Sequence, residues 1–297
     1  MKIKLIRITT VPISLDKLIE GQMTFMKDYY EVIAISSDLE NLRKVGVKEG
    51  VRVKEIKLTR KITPIKDLFA LIKLYRFLKK EKPEIVHTHT PKAGTVGMLA
   101  AKLAGVPNRL HTIAGLPLLE ATGNKRKLLN AVEKFTYSCA TSILPNSFGL
   151  EQIILDHKFT KPSKLKVIGN GSSNGINTSF FKASQTLENE AVEIRKNMNV
   201  GPGEMVAVFI GRITGDKGIN ELVSAFKQIA GVRLLLVGPM ETELDPLEVA
   251  TSFEIDNNPN IEWVGFQSDV RPFLLASDFL VFPSYREGFP NVPMQAG

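Results

Sequence analysis

The chain has 297 residues, 43% hydrophobic and 24% charged, with 39 Lys and Arg against 31 Asp and Glu. That suffices for two α/β domains of ordinary globular composition and excludes a disordered chain. A single cysteine, Cys139, excludes an intramolecular disulfide, no Cys/His cluster has zinc spacing, and no run approaches the ~18 apolar residues of a membrane span. Lys4 and Arg7 interrupt the N-terminal apolar run where a signal peptide would need a continuous core. A reducing cytoplasm is the compartment these features suit.

In chain order, short apolar runs at 3–8, 32–35, 53–58, 85–87, 109–112 and 142–144 read as strands. Between them, apolar residues at three- and four-residue steps predict helices over 15–27, 39–45, 65–80, 92–103, 125–137 and 147–156. Such alternation implies a doubly wound parallel sheet. The stretch 169–181 is the densest cluster of turn formers, and its glycine spacing does not fit a dinucleotide fingerprint. Polar residues over 184–193 then lead into a second half, so the domains are expected to be 1–182 and 183–297. That half continues as strand 206–210, helix 218–229, strand 233–237, helix 246–255, strand 261–264, helix 270–276 and strand 279–282, with a further helix starting near 292.

Charge is divided between the halves. Residues 1–182 hold 31 Lys and Arg against 15 Asp and Glu, whereas residues 183–297 hold 8 against 16. A basic half of this kind suits an anionic membrane surface or a nucleic acid, and aromatic residues interleaved with Lys and Arg, which would favour nucleic acid, are not evident.

The stretch 206–226 carries the chemistry. A β-branched run ends at Gly211, Arg212 follows, and Lys217 stands where an amphipathic helix begins, which sets two cations at the C-terminal edge of a strand beside a helix N-terminus. A diphosphate suits that place. Lys217-Gly218-Ile219 is in the wrong order for a Walker A loop, so a P-loop ATPase is excluded. Far downstream, the strand 279–282 runs into Pro283-Ser284-x-x-Glu287-Gly288-Phe289-Pro290, a loop with one carboxylate. Both loops leave the C-terminal ends of strands, where open α/β sheets bind ligands.

Gly211-Arg212 with Lys217-Gly218, paired with the Ser284 to Pro290 loop, closely resembles the retaining family 4 glycosyltransferases of the GT-B fold, of the bacterial surface-polysaccharide type. The resemblance is colinear over the whole chain. It implies two Rossmann-like parallel-sheet domains facing a cleft, with the second domain a C-terminally incomplete copy. It also implies a reaction without metal or cofactor, in which a nucleotide-sugar, UDP-linked in the main expectation, is a substrate. By that resemblance Arg212 and Lys217, beside Gly211, hold the diphosphate and act in catalysis, while Glu287 with the Gly288 and Phe289 backbone holds the donor sugar. A second glutamate is usual eight positions on; Gln295 stands there and can still hydrogen-bond a ribose hydroxyl. The stretch Asn174-Gly175-Ile176-Asn177-Thr178 matches the family's end of the first domain, and the Gly265 to Val270 loop is implied to meet the base.

The implied acceptor is a saccharide or a polyprenyl-diphosphate-linked glycan at the inner face of the cytoplasmic membrane, with the chain cytoplasmic and peripheral and no nucleic acid as partner. Two stretches suit contact with an anionic leaflet: the basic-apolar helix within 60–82, and the apolar loop 116–127 ending in Lys125-Arg126-Lys127. The loop is the preferred of the two, since nothing in its pattern demands core positions for Leu116, Leu118 and Leu119. His87 and His89 share a strand face near Lys92 and suit contact with substrate better than a metal. His111 lies three residues before Ala114, where relatives often carry a histidine, and reads equally as structural or catalytic. The rival readings are a GT-B-fold nucleotide-sugar epimerase and a non-catalytic basic membrane-binding protein.

Overall fold

The structure, a computed structural model, describes residues 2–61, 63–241 and 245–297. The chain divides into two compact units, the first ending at Gly175 and the second comprising Ile176–Gly297. In the first, strands β1 (Ile3–Ile8), β2 (Tyr30–Ser36), β3 (Arg52–Glu55), β4 (Ile85–His89), β5 (Asn108–Ile113) and β6 (Ser142–Pro145) form one sheet in the order β3-β2-β1-β4-β5-β6. Every pairing is parallel, with Leu5 opposite Val32 on one side and Ile85 on the other. The order reverses between β1 and β4.

Why these runs form buried strands is visible in their alternation. Leu5, Val32 and Ala34 enter one apolar cluster, while Ile6, Ile8, Ile33 and Ile35 enter the cluster on the opposite face. Successive side chains of a strand point to opposite faces, so a sheet covered by helices on both sides needs apolar residues at every position.

The expected helix 15–27 is two helices, Pro12–Leu18 and Gln22–Met26, because Gly21 takes a left-handed conformation between them. The buried Glu49 carboxylate holds the second start, accepting from Gly21 N and Thr24 N, each at 2.8 Å.

In the second unit, β7 (Met205–Ile210), β8 (Val232–Val237), β9 (Ile261–Trp263) and β10 (Phe279–Leu280) form a parallel sheet in the order β10-β7-β8-β9. Ala207, Phe209, Leu234 and Leu236 pack on one face, and Val206, Val208, Leu235 and Val237 on the other. A helix that the polar composition of 184–193 concealed spans Gln185–Asn197, with Ser184 as its N-cap accepting from Leu187 N. The segment 176–182 joins this unit rather than the first. There the Arg271 guanidinium lies 3.7 Å from the centroid of the Phe180 ring and Nη1 donates to Phe180 O at 2.8 Å, which clamps the turn and moves the division ahead of the expected 182/183 boundary.

Candidate active site

Strands β7, β8 and β9 follow one another across the second sheet, and β10 then returns to the other side of β7. The switch point therefore lies between β7 and β10, and a crevice outside the strand ends is expected there. The loop after β7 carries Gly211, Arg212 and Lys217; the loop after β10 carries Ser284, Arg286 and Glu287. Topology alone thus brings together two motifs about 70 residues apart.

Backbone packing at the strand ends is close. Gly238, just past β8, has φ of 146°, and a Cβ there would sit 1.7 Å from Gly211 O, so no side chain fits. Gly211 N donates to Val237 O at 2.9 Å, which fixes the exit of β7. The loop then makes a 3₁₀ turn over Gly215–Lys217, closed by Gly218 in the left-handed region at φ 72°. A Cβ at Gly218 would lie 2.3 Å from Pro283 O. The two motif loops therefore touch through their backbones.

Asp216 is the hub of the side chains. Its Oδ2 meets Arg212 at 3.2 Å and Arg286 at 3.1 Å, and its Oδ1 accepts from the Thr214 hydroxyl at 2.6 Å. Burial pushes its carboxyl pKa up, but the Thr214 hydrogen bond and the Arg212, Lys217 and Arg286 charges outweigh burial and hold it below the usual carboxylate range. Arg212 also reaches Glu241 at 3.3 Å. Lys217 Nζ is ion-paired to Glu287 Oε1 and lies 3.4 Å from Ser284 Oγ, while the Ser284 hydroxyl donates to the same Glu287 oxygen at 2.8 Å.

The cluster so far sets three cations among three carboxylates. An arginine has five N–H donors and a lysine three, so the pairs that fix Arg212, Arg286 and Lys217 leave donors for a bound anion. Asp216, Arg286 and Glu241 were not singled out by sequence, and Ser284 entered only as a member of the downstream motif; the one signal for Asp216 was an aspartate set between Arg212 and Lys217. Gly288 and Phe289 follow Glu287 in the same loop, and Gln295 lies on the helix Asn291–Ala296. At the end of β9, Trp263 Nε1 donates to Gly238 O at 2.8 Å and fastens the strand that leads into the Gly265 loop to the β8 exit.

In the first unit His87, His89 and His111 are core groups, whereas His157 is exposed. His111 is buried, its Nδ1 lies 2.8 Å from the Thr88 hydroxyl, and its ring covers Gly94 so closely that a Cβ there would be 2.4 Å from Cε1. His87 Nε2 lies 2.8 Å from the Thr112 hydroxyl, and its ring centroid is 4.2 Å from that of His89, which is also buried. The expectation of substrate contact for His87 and His89 does not fit that burial, and Lys92 is ion-paired to Asp67. Desolvation, then the neighbouring charges of Arg7 and the other histidines, hold His87 and His89 well below the usual imidazole range. Burial likewise lowers His111 to about 4.

The preference for the loop 116–127 as a membrane contact is overturned. Leu116 and Leu118 are each 1% exposed and belong to the core, because the chain makes a 3₁₀ turn over Pro117–Glu120 that folds them inward. Arg126 locks that turn, donating to Leu118 O at 2.8 Å and Leu119 O at 3.3 Å.

Two parallel-sheet α/β units, the second with cations and a carboxylate gathered at its switch point, are the architecture of the GT-B glycosyltransferases. Residues 19–147 match the family model for glycosyl transferase 4-like proteins, and residues 204–297 that for glycosyl transferases group 1. The chain is 35% identical to the capsular polysaccharide biosynthesis glycosyltransferase CapM of Staphylococcus aureus, over 99% of this chain and 76% of that protein. It therefore belongs to this glycosyltransferase family. It is also 31% identical to the UDP-Gal:alpha-D-GlcNAc-diphosphoundecaprenol alpha-1,3-galactosyltransferase of Escherichia coli, over 80% of this chain and 62% of that one. Among solved structures, Anabaena HepE in complex with UDP and glucose matches with a TM-score of 0.75 at 16% identity, covering 99% of this chain and 78% of that one, a likeness of fold.

Proposed function

We propose that the chain transfers a sugar, with retained anomeric configuration, from a uridine-diphosphate donor to a hydroxyl of a polyprenyl-diphosphate-linked glycan in surface-polysaccharide assembly. The observation that carries this reading is the convergence of Arg212, Lys217 and Arg286 with Glu287 at the switch point of the second sheet. When the bond from the anomeric carbon to the diphosphate oxygen breaks, negative charge develops on the leaving diphosphate. Fixed cations stabilise that charge more in the transition state than in the ground state. Glu287 is the acceptor for hydroxyls of the donor sugar, and releasing it from Lys217 couples sugar recognition to diphosphate recognition. The acceptor proton passes to the leaving phosphate, so the reaction runs without a side-chain base or a metal.

The name of the Staphylococcus aureus relative supports a part in surface-polysaccharide assembly, and that of the Escherichia coli relative supports the lipid-linked acceptor class and the UDP donor. The acceptor's lipid places the chain at the inner face of the cytoplasmic membrane, held peripherally; among the described residues no helix is long and apolar enough to cross a membrane. A thermal-shift screen against UDP-, GDP- and ADP-sugars tests the donor, because a bound donor raises the melting temperature by mass action. Stabilisation by GDP- or ADP-sugars alone contradicts the uridine assignment. Incubation with donor alone tests the reaction: an epimerised sugar nucleotide would replace the transferase reading by the epimerase one.

A further inference from the structure

The helix Pro64–Glu81 has two faces that contradict the usual division into an apolar inside and a polar outside. Ala70, Leu74 and Leu78 pack into the first unit's core. On the opposite side, Ile65, Leu68, Phe69 and Ile72 recur at steps of three and four and are 74%, 56%, 62% and 37% exposed. One turn further along the same outward side stand Arg76, Lys79 and Lys80, with Lys66 and Lys73 on its flank, all exposed. Among the described residues none of these five cations is in an ion pair.

Beside the helix, against β3, lies a groove of about 490 Å³ whose lining includes Lys54, Lys73, Arg76 and Lys80. Two carboxylates also line it, Glu55 and Glu81, of which Glu81 is already held by Lys4 at 2.8 Å and Arg52 at 3.3 Å, so four cations face one remaining carboxylate. The groove is therefore a cationic recess adjoining an apolar stripe.

We infer that this face docks the chain on an anionic bilayer leaflet, with Ile65, Leu68, Phe69 and Ile72 among the upper acyl chains and the cations at the headgroup phosphates. A helix with an apolar side and a basic side lies in the interface plane, where both find complementary surroundings. A second copy of the chain does not suit this face, because a two-fold contact would oppose the same five cations to each other. Nucleic acid suits it less, since Ile65, Leu68 and Ile72 offer neither stacking nor hydrogen bonds and Phe69 is the one aromatic ring of the stripe. The inference rests on the lipid-linked acceptor reading and gives it a surface.

The test is cosedimentation of the whole chain with vesicles of phosphatidylcholine alone, or with phosphatidylglycerol added, together with turnover of a short-chain, water-soluble acceptor. The unmodified chain should bind the anionic vesicles only. Each basic side chain near the leaflet contributes about a five-fold factor, so Lys73→Glu/Arg76→Glu/Lys80→Glu should weaken binding by about 100-fold or more. Leu68→Ser/Phe69→Ser should weaken it by about 10-fold or more, and both variants should turn over the soluble acceptor at the unmodified rate. In Phe69→Trp, the new fluorophore should shift to the blue on anionic vesicles.

Vesicle binding unchanged in both multiple variants overturns this surface and leaves the membrane reading standing. No binding by the unmodified chain overturns both. A salt-resistant dimer lost in Leu68→Ser/Phe69→Ser assigns the face to a second copy instead. Failure to turn over the soluble acceptor counts against the acceptor reading alone.

Discussion

The Lys217 ammonium is ion-paired to the Glu287 carboxylate, so the group assigned to the diphosphate and the group assigned to the sugar hold each other. Ser284 completes the contact by donating to the same Glu287 oxygen at 2.8 Å. A donor entering this site must therefore exchange partners with an existing pair rather than meet bare charges. Preorganisation is the gain: side chains fixed before binding lose less freedom when the ligand arrives.

Removing either diphosphate cation should cost activity more than folding. A charge-assisted hydrogen bond contributes ~1.5–3 kcal/mol, so Arg212→Ala or Lys217→Ala should each lower kcat/KM by about 10- to 100-fold or more. Melting temperatures should stay close to the unmodified value, since both side chains are only partly buried. Steady-state kinetics with a UDP-sugar checks this, and unmodified activity in the double variant would end the assignment.

Glu287→Gln keeps the shape of the side chain and removes its charge. Lys217 then loses its partner and binds the donor diphosphate without competition, while the sugar hydroxyls lose an anionic acceptor. The expected outcome is a split: affinity for UDP alone unchanged or higher, and kcat with the complete donor about 10-fold lower or more. Calorimetry with UDP beside a rate measurement reads both halves. A parallel fall in the two would give Glu287 a role in holding the loop instead.

Gly218 and Gly231 form a matched pair for testing the contact between the motif loops. Both are in the left-handed region, at φ 72° and 75°, but a Cβ at Gly218 would meet Pro283 O at 2.3 Å whereas nothing lies within 4 Å at Gly231. Gly231→Ala should lose only the conformational cost of about 1 kcal/mol. Gly218→Ala should lose about 1–3 kcal/mol more and weaken UDP binding, because the Pro283 to Glu287 loop must move. Urea midpoints and UDP titrations of the two variants give the comparison, and equal behaviour would remove the loop contact from the account of the site.

How far the sequence reveals this molecule depends on where its constraints act. Runs such as Val206 to Ile210 and Leu234 to Val237 are apolar at every position because both faces of the sheet are covered, and they are readable as strands directly. The helix Gln185–Asn197 was hidden because only Leu187, Ala191 and Ile194 face inward, among many charged neighbours. At the site, the motif side chains are legible, but the Asp216–Arg286 pair joins residues 70 apart and has no local pattern. The loop 116–127 misled for a related reason. Its leucines carry no helical or strand period, and only the turn at Pro117–Glu120 decides that they point inward.

Arg126 therefore belongs to stability rather than to a membrane patch. Arg126→Ala leaves Leu118 O and Leu119 O without that donor and should cost about 1–3 kcal/mol. Lys125→Ala, at an exposed neighbour, should stay within about 0.5 kcal/mol. Denaturant midpoints distinguish them, and equal effects would mean that the guanidinium does not secure the turn.

Stability should also fall on mild acidification. The unfolded chain takes up protons on His87, His89 and His111 below about pH 6.5, while the folded chain holds all three neutral well below that, His111 to about 4. A pKa depressed by folding contributes stability that is fully present above the unfolded value and is lost as pH falls towards the folded one. The loss is at most about 1.4 kcal/mol per pH unit for each histidine. Urea midpoints should drop between pH 7 and pH 5, with a shallower drop in His111→Gln. A midpoint independent of pH in that window would contradict the buried neutral state.

Strand β10 is two residues long, and its edge is tied to β7 by Asp278, whose carboxylate accepts from Val206 N across 72 residues of chain. Such a closure comes late, because a distant pairing must first overcome the entropy of the loop it closes. At synthesis rates of about 5–20 residues per second, Arg212 and Lys217 leave the ribosome roughly 4–14 s before Glu287 does. During that interval a nascent second unit presents Lys217 without Glu287, while Arg212 already has Asp216 beside it in the same loop. Pulse-labelled hydrogen exchange should accordingly find the amides of Asp278 and Val281, bonded to Val206 O and Val208 O, protected after those of β7 and β8. The pairing of Lys217 with Glu287 is then among the later contacts to form within the described part of this unit.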